Sequence, residues 1–343
     1  MANENIDIKE DEIAALSPEL LTILLKDHTL STPDVQVNIF WATDNYSYLG
    51  EGFAYADQIT VDKITGEYGK IIIPRAAKAA DAQRQRSREM AEVFTPSWIC
   101  NKQNNLVDNA WFGRNDVFNT EIDNPDGSHT WLPSEGKIEF PEGKTWRDYV
   151  DENRLEITCG EAPYLVSRYD TVTGEPIPVE RRICMLDRKL RVVGENTKMT
   201  RDWLKAAKAA YMSTYGYEWQ GDNLILARET LLYTFIDFYR AKFGKDPVLK
   251  SLQDIADIIS WNIWQMDGLK GVIPNSCIKI PKFKNEPSSL FSSEDLGEQE
   301  DMTLFDCPGC KNKDIHSHTG MYAVIKDWKE NKVLTFVSLI KQK

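Results

Sequence analysis

The fold prediction starts from the stretch Leu155-Glu-Ile-Thr-Cys-Gly-Glu-Ala-Pro-Tyr-Leu165. It begins as a short apolar strand with an acidic residue, Glu156, at its carboxyl end. A turn of small residues follows, containing Cys159, Gly160 and Ala162, and leads into an apolar helix start. In an open α/β sheet, ligands bind outside the carboxyl ends of the strands, where small residues let the backbone approach them. The stretch therefore predicts either a ligand-binding loop or an ordinary strand-to-helix connection.

The composition is that of a globular chain with an acidic surface. Its 343 residues include 42% hydrophobic and 27% charged residues, enough for one large domain or two smaller ones. A net charge of −12 argues against a chain that binds duplex DNA by itself, because a duplex-binding surface needs basic residues to displace counterions from the phosphates. Six unevenly spaced cysteines and the lack of a long apolar run predict a cytoplasmic protein with no membrane span.

Two further strand ends carry acids. The run Ser213–Trp219 is predicted to be a strand ending near Glu218, followed by a helix from Asp222 to about Phe243. Asp267 follows a third apolar run. An acid at the tip of the second strand is the position that accepts hydrogen bonds from ribose hydroxyls. Glu218 lies 62 residues after Glu156, whereas a nicotinamide fingerprint needs about 20, so an insertion between the strands is required.

A helix is predicted to begin near Thr95 and Pro96. Thr95 is a good N-cap residue, and Pro96 suits the first helical position. The free N–H groups of a helix start can bind a carboxylate, although an ordinary capped helix is equally compatible with these residues.

Four pieces stand in a fixed order: Phe94-Thr-Pro96, Glu156 to Leu165, Gly216-Tyr-Glu218 and Asp267-Gly-Leu269. This order resembles the adenine-N6 DNA methyltransferases that use S-adenosyl-L-methionine (SAM), and most closely the modification subunits of restriction–modification systems. The resemblance runs from Pro74 to the end of the chain. It implies an α/β fold of the class I SAM-methyltransferase type, with a Rossmann-like open sheet.

The resemblance also implies a SAM site and a role for each piece. The Thr95 helix start would face the methionine carboxylate, and the turn after Glu156 would line the methionine and ribose. Glu218 would bind the ribose hydroxyls, and Asp267 would accept the exocyclic amine of adenine, with Leu269 against the ring. The implied cofactor-binding residues are Phe94, Thr95, Pro96, Glu156, Cys159, Gly160, Ala162, Glu218, Asp267 and Leu269.

The sequence departs from this family in two respects. Ala162 stands where the cofactor turn usually has a second glycine. None of the 15 prolines is followed by another proline, so the catalytic Asn/Asp-Pro-Pro-aromatic motif is absent and no catalytic residue is predicted. We therefore expect a sheet incomplete at the C-terminus and a chain inactive alone. A missing C-terminal half or a second subunit would carry catalysis and target recognition, and DNA would be contacted only through it.

The chain is predicted to divide into four parts. Residues 1–73 form an accessory unit with a helix over Glu4–Asp27 and short strands at 35–41 and 70–73. Residues 74–282 form the SAM-binding core, with an irregular loop or lid at 112–141. An acidic segment, 283–303, is expected to be mobile, and 304–343 combine a Cys/His turn with a β-prone tail.

The Cys/His turn offers four possible zinc ligands, Cys307, Cys310, His316 and His318. The gap between Cys310 and His316 is far shorter than the roughly 12–15 residues of a zinc finger. Metal binding therefore stays open, and no metal ligand is assigned. Two other functions also stay open, a non-catalytic SAM-binding or scaffold protein and a zinc-stapled interaction module without a cofactor.

Overall fold

The computed structural model describes residue 6 and residues 10–78, 80–89, 95–282 and 303–341. Helices and strands alternate through most of this range. The helices are α1 Glu10–Leu16, α2 Pro18–Leu25, α3 Ala80–Glu89, α4 Ser97–Phe112, α5 Trp146–Val150, α6 Met185–Asn196, α7 Thr200–Met212, α8 Gly221–Phe243, α9 Leu249–Asn262 and α10 Pro308–Asn312. The strands are β1 Asn119–Asp123, β2 His129–Pro133, β3 Arg154–Glu156, β4 Thr214–Glu218, β5 Ile263–Gln265, β6 Ile280–Lys282, β7 Thr303–Phe305, β8 Val324–Asp327 and β9 Lys332–Thr335.

A small parallel sheet of order β3-β4-β5 organises the described residues. Glu156 pairs with Gly216, and Glu218 pairs with Gln265. Parallel neighbours need long crossover connections, which helices α6 and α7 supply between β3 and β4 and helices α8 and α9 between β4 and β5. The other sheets are antiparallel pairs, β1-β2, β6-β7 and β8-β9. The described chain is therefore a mixed α/β structure with small open sheets.

Helix α8 is the central element of the core. Of its 23 residues 17 are buried, as expected of a helix enclosed on most of its faces. It contacts α2, α6, α9 and the strands β4 and β5. The helix ends where Gly244 takes a left-handed conformation (φ 66°), and the Gly244 N–H bonds the Arg240 carbonyl.

The N-terminal segment packs into the same hydrophobic core. Leu24, Trp41 and Phe53 are fully buried in one cluster with the α8 side chains. The fully buried Arg228 of α8 adds a polar link, because its guanidinium donates to the carbonyls of Leu24 and Lys26 at the end of α2 and to those of Ser260 and Ile263 at the end of α9. One side chain thus caps two helix C-termini.

The N-terminal elements differ from the prediction. The single expected helix is two helices, because Pro18 begins α2, where its missing N–H is tolerated. The expected strands at 35–41 and 70–73 are absent. The segment 35–41 instead makes isolated bridges, Lys26 with Asn38 and Phe40 with Gln58.

The predicted irregular loop at 112–141 is wrong in its centre, which forms the β1-β2 hairpin. The predicted strand at 213–219 and the helix from 222 to 243 are confirmed as β4 and α8. Most of the acidic segment 283–303 lies outside the described residues. The β-prone tail contains the β8-β9 hairpin, joined to α9 by a 2.7 Å hydrogen bond from Trp328 Nε1 to Asn262 Oδ1. Within the described ranges, no helix has both the length and the apolarity to cross a bilayer.

Candidate functional site

Three buried acids lie at the carboxyl edge of the parallel sheet. Glu156 ends β3, Glu218 ends β4 and Asp267 follows β5 by two residues, and their residues are 6%, 7% and 4% exposed. The three strand ends are bonded to one another, since Gly160 N donates to Glu218 Oε2 (2.8 Å) and Met266 N donates to the Glu218 carbonyl (3.0 Å). The structure therefore brings together the predicted strand-end acids.

The turn after β3 has an unusual backbone. Thr158, Gly160 and Ala162 have φ values of 47°, 52° and 64°, and a left-handed residue that is not glycine costs about 1–2 kcal/mol. The carboxylate of Glu156 holds the turn, because its two oxygens accept the N–H groups of Tyr164 (3.2 Å) and Leu165 (3.1 Å). Glu156 therefore has a structural role in fixing the turn.

The side chains of Cys159 and Ala162 point into the core and are at most 1% exposed. A Cβ at Gly216 would lie 3.2 Å from Cys159 Sγ, so the glycine on β4 makes room for the thiol. Of the predicted cofactor residues in this turn, Cys159 and Ala162 are thus placed to meet a ligand only through their backbone.

Glu218 connects the first two strand ends. Its Oε2 accepts the Gly160 N–H, and its Oε1 accepts the Gln220 N–H at 3.1 Å. Burial raises the pKa of Glu218 above its ordinary value, although these backbone N–H groups oppose the shift. Burial also raises the pKa of Glu156 well above its ordinary value, and the charge of Glu218 adds to that rise. A ligand that brings positive charge or hydroxyl donors would relieve this accumulation of buried carboxylates.

Asp267 organises the loop after β5. Its Oδ1 accepts the Leu269 N–H (3.0 Å), and its Oδ2 pairs with Lys270 Nζ (3.1 Å). Gly268 is required sterically, because a Cβ there would lie 2.6 Å from the ring of Tyr217. The side chain of Leu269 is 91% exposed, so it is available to cover a flat ligand.

Tyr55 and the segment around Phe40 approach this edge from the N-terminal region. Burial and the charge of Asp267 raise the pKa of Tyr55 to about 12. Phe40 N donates to Gln265 Oε1 (3.1 Å), and Gln265 Nε2 donates to the carbonyls of Phe40 and Trp219 (both 2.8 Å). The sequence offered no motif in this region, so its position beside the strand ends was not predicted.

The predicted helix start near Thr95 is one residue early. Helix α4 begins at Ser97, and its N-cap is Pro96. The Ser97 N–H donates to Asp170 Oδ2 at 2.8 Å, so a carboxylate of the chain itself occupies the helix start that was expected to face a cofactor carboxylate. Phe94 lies outside the described residues.

Three of the four candidate zinc ligands come together. Cys307, Cys310 and His318 lie close to one another, whereas His316 lies outside the group. Its place is taken by Cys277, and the four ligand atoms lie within 4.8 Å of one another. Cys277 precedes Cys307 by 30 residues and has no cysteine or histidine near it in the sequence, so no local spacing points to it.

A cavity of about 450 Å³ lies away from the three acids. Its lining includes Arg154 and Ser213 near the starts of β3 and β4, together with Trp264, Trp328 and Phe336. It is mainly apolar and separates the sheet from the C-terminal tail.

The chain shows no significant similarity to any family model, curated protein or solved structure with which it was compared. Its function is therefore argued from the geometry of the strand ends and the residues around them.

Proposed function

We propose that the chain binds SAM at the carboxyl edge of β3, β4 and β5. In this proposal it is the cofactor-binding portion of an adenine-specific DNA methyltransferase of a restriction–modification system. One observation carries the proposal: of three parallel strands adjacent in chain order, two end at buried acids and the third is followed two residues later by buried Asp267, and the left-handed turn after the first is bonded to the acid of the second. This is the edge at which open α/β sheets bind ligands.

The ligand chemistry fits the charge of this edge. SAM carries a sulfonium and an ammonium group, a ribose with two hydroxyls and an adenine with an exocyclic amine. Each oxygen of the Glu218 carboxylate accepts one backbone N–H and retains a lone pair for a ribose hydroxyl. Asp267 likewise keeps acceptor capacity for the adenine amine, and the exposed Leu269 provides an apolar surface for the ring. The positive groups of SAM offset the buried carboxylates.

Methyl transfer needs residues beyond those described. The catalytic tetrapeptide is absent from the sequence, and β3 is an edge strand of the described sheet. A further parallel strand could pair with the free edge of β3, and its carboxyl end would then lie beside the turn that contains Gly160. We propose that another segment or a partner subunit supplies this part together with the DNA-reading surface. The net charge of −12 agrees with DNA contact through that part.

A second candidate is a SAM-binding scaffold that performs no chemistry, and the missing Pro-Pro motif favours it. Both candidates predict that the purified chain alone transfers no methyl group to DNA. Formation of N6-methyladenine by this chain with SAM and mixed-sequence DNA would contradict both. Methylation after addition of a neighbouring gene product that contains the motif would favour the methyltransferase portion over the scaffold.

The cofactor proposal is tested by calorimetric titration of SAM into the wild type and into Asp267→Ala. Loss of the Asp267 carboxylate leaves the adenine amine unpaired, which weakens binding by about 1–3 kcal/mol, or roughly 5- to 150-fold. Glu142→Ala is the matched control, because it removes an exposed carboxylate away from the strand ends. Equal SAM affinities in all three proteins would remove the assigned role of Asp267.

A further inference from the structure

Four side chains from two parts of the chain converge on one point. The Sγ atoms of Cys277 and Cys307 each lie 3.5 Å from His318 Nδ1, and the Sγ of Cys310 lies 3.6 Å from it. All four ligand atoms lie within 4.8 Å of one another. Three cysteine sulfurs and an imidazole nitrogen have little reason to cluster this closely at a partly exposed position without a common partner.

The distances match those around a tetrahedral zinc ion. Zinc binds cysteine sulfur at about 2.3 Å and histidine nitrogen at about 2.0–2.1 Å, so sulfur and nitrogen at a tetrahedral angle are about 3.6 Å apart. We propose that Cys277, Cys307, Cys310 and His318 form a structural zinc site. Three thiolates and one imidazole in this geometry select zinc among the common divalent ions. Four protein ligands leave no open position, which distinguishes a structural site from a catalytic one.

The surrounding backbone accommodates the four ligands. Thr319 N donates to Cys307 Sγ at 3.2 Å, an interaction that favours the thiolate. A Cβ at Gly309 would lie 2.7 Å from the His318 ring, and a Cβ at Gly320 would lie 3.1 Å from Cys277 Sγ. Both glycines therefore leave the space that the ligands occupy.

The site joins the C-terminal segment to the loop after β5. Ile273 N donates to the Met321 carbonyl (2.8 Å), Met321 N donates to Ser276 Oγ (3.0 Å), and Thr319 Oγ1 donates to the Ile278 carbonyl (2.8 Å). A zinc ion would link the two segments by coordination bonds, to Cys277 in the loop after β5 and to the three ligands in the C-terminal segment. The ion therefore holds the loop that begins at Asp267 against the C-terminal segment.

Lys270 lies between the two sites. Its ammonium pairs with Asp267 Oδ2, and although burial lowers its pKa, Asp267 and then Cys310 and Cys277 raise it overall. A zinc ion with three thiolates carries a net charge of −1, which a neighbouring lysine offsets. The link to SAM rests on the proposed function, whereas the zinc site stands on its own geometry.

The first experiment measures metal in the untagged full-length chain purified without chelator. The expected result is one zinc per chain by mass spectrometry. Exchange for cobalt should give the absorption of a tetrahedral ion with thiolate-to-cobalt charge transfer. A chain that is folded but holds no zinc, and that gives no such absorption with added cobalt, would overturn the proposal.

Two variants identify the ligand set. Cys277→Ser should reduce zinc occupancy at least tenfold after dialysis against a weak chelator, whereas His316→Ala should keep full occupancy. These outcomes separate the structural ligand set from the one that local sequence spacing suggests. Retained zinc in Cys277→Ser with loss in His316→Ala would contradict the assignment.

The effect on the loop is read without SAM, by hydrogen exchange in the wild type before and after zinc removal. Amides of residues 268–278 should exchange faster once zinc is removed, while those of α8 should be unchanged. Equal exchange rates at 268–278 would show that the metal does not hold this loop.

Discussion

Replacing Glu218 by glutamine tests how the site is built and how it responds to pH. Glu218 ends β4, and its two carboxylate oxygens accept N–H groups from Gly160 and Gln220. Glutamine keeps one acceptor oxygen but turns an NH₂ donor toward the other N–H. The substitution therefore leaves one buried backbone donor unmatched while changing the side-chain volume very little.

The magnitude follows from that one lost hydrogen bond. A buried donor left without a partner costs about 1–3 kcal/mol, so Glu218→Gln should lower the free energy of unfolding by at most that amount. This loss is partly offset at pH values at which the wild-type Glu218 is ionised, because the variant does not bury that charge.

The size of this offset in the free energy of unfolding depends on pH in a defined direction. Burial raises the pKa of Glu218 above its ordinary value of 4.5 in the folded protein. A carboxyl with a raised folded pKa stabilises the fold below its unfolded pKa and loses that contribution as the pH rises through the folded pKa. In measurements from about pH 5 upward, the stability gap between wild type and Glu218→Gln should therefore narrow as the pH rises.

Urea denaturation of both proteins across this pH range measures the gap. Asp237→Asn is the matched control, because Asp237 has a lowered pKa, where its ion pairs with Arg168 and Arg182 outweigh its burial. The gap for that control should stay constant over the same range, since Asp237 is ionised throughout. A Glu218→Gln gap that stays constant or widens toward alkaline pH would refute the account of this site.

Three further substitutions follow from the structure. Arg228→Met should destabilise the chain by about 1–3 kcal/mol in urea denaturation, because buried carbonyls at two helix ends lose their donor. A loss below about 1 kcal/mol would contradict that role. Gly268→Ala should weaken SAM binding in calorimetry, because its Cβ collides with Tyr217; unchanged affinity would argue against a ligand beside this loop. Asp170→Ala should lower the free energy of unfolding by about 1 kcal/mol, and with it the melting temperature, because the Ser97 N–H loses its carboxylate acceptor. An unchanged melting temperature would refute it.

The parallel sheet was predictable because its signals are local. Each of the three strands lies in a short run that ends near an acid, although β3 itself is Arg-Leu-Glu with an exposed Leu155, and the long apolar pattern after Glu218 predicts α8. The adjacency of the strands follows from the short list of ways in which consecutive parallel strands connect. The assignment of Glu218 and Asp267 to SAM remains a prediction.

The predictions from the sequence failed where contacts with a residue far away in the chain determine the local structure. The N-cap of α4 was predicted at Thr95, but the helix has its N-cap at Pro96, and the N–H of its first residue, Ser97, bonds the carboxylate of Asp170 from 73 positions away. Cys277 joins the C-terminal cluster only after the chain has folded. The segment around Phe40 looks β-prone, but it makes only isolated bridges, and the backbone N–H and carbonyl of Phe40 bond the side chain of Gln265, 225 positions away.

The hairpin at 119–133 was missed for a different reason. Its polar composition is typical of a loop, and four of the five residues of β1 are exposed. The pairing is fixed by the turn around Gly127 (φ 82°), where Asn124 N donates to the Ser128 carbonyl at 2.9 Å, rather than by an apolar face. Periodicity of hydrophobic residues cannot reveal such a strand pair.

A crystal structure of the chain grown with SAM tests the central claim most directly. The account predicts that the ribose hydroxyls lie within hydrogen-bonding distance of Glu218 and that the adenine amine faces Asp267, with Leu269 against the ring. SAM bound instead in the apolar cavity beside Trp264 and Trp328, or no bound SAM at saturating concentration, would contradict it.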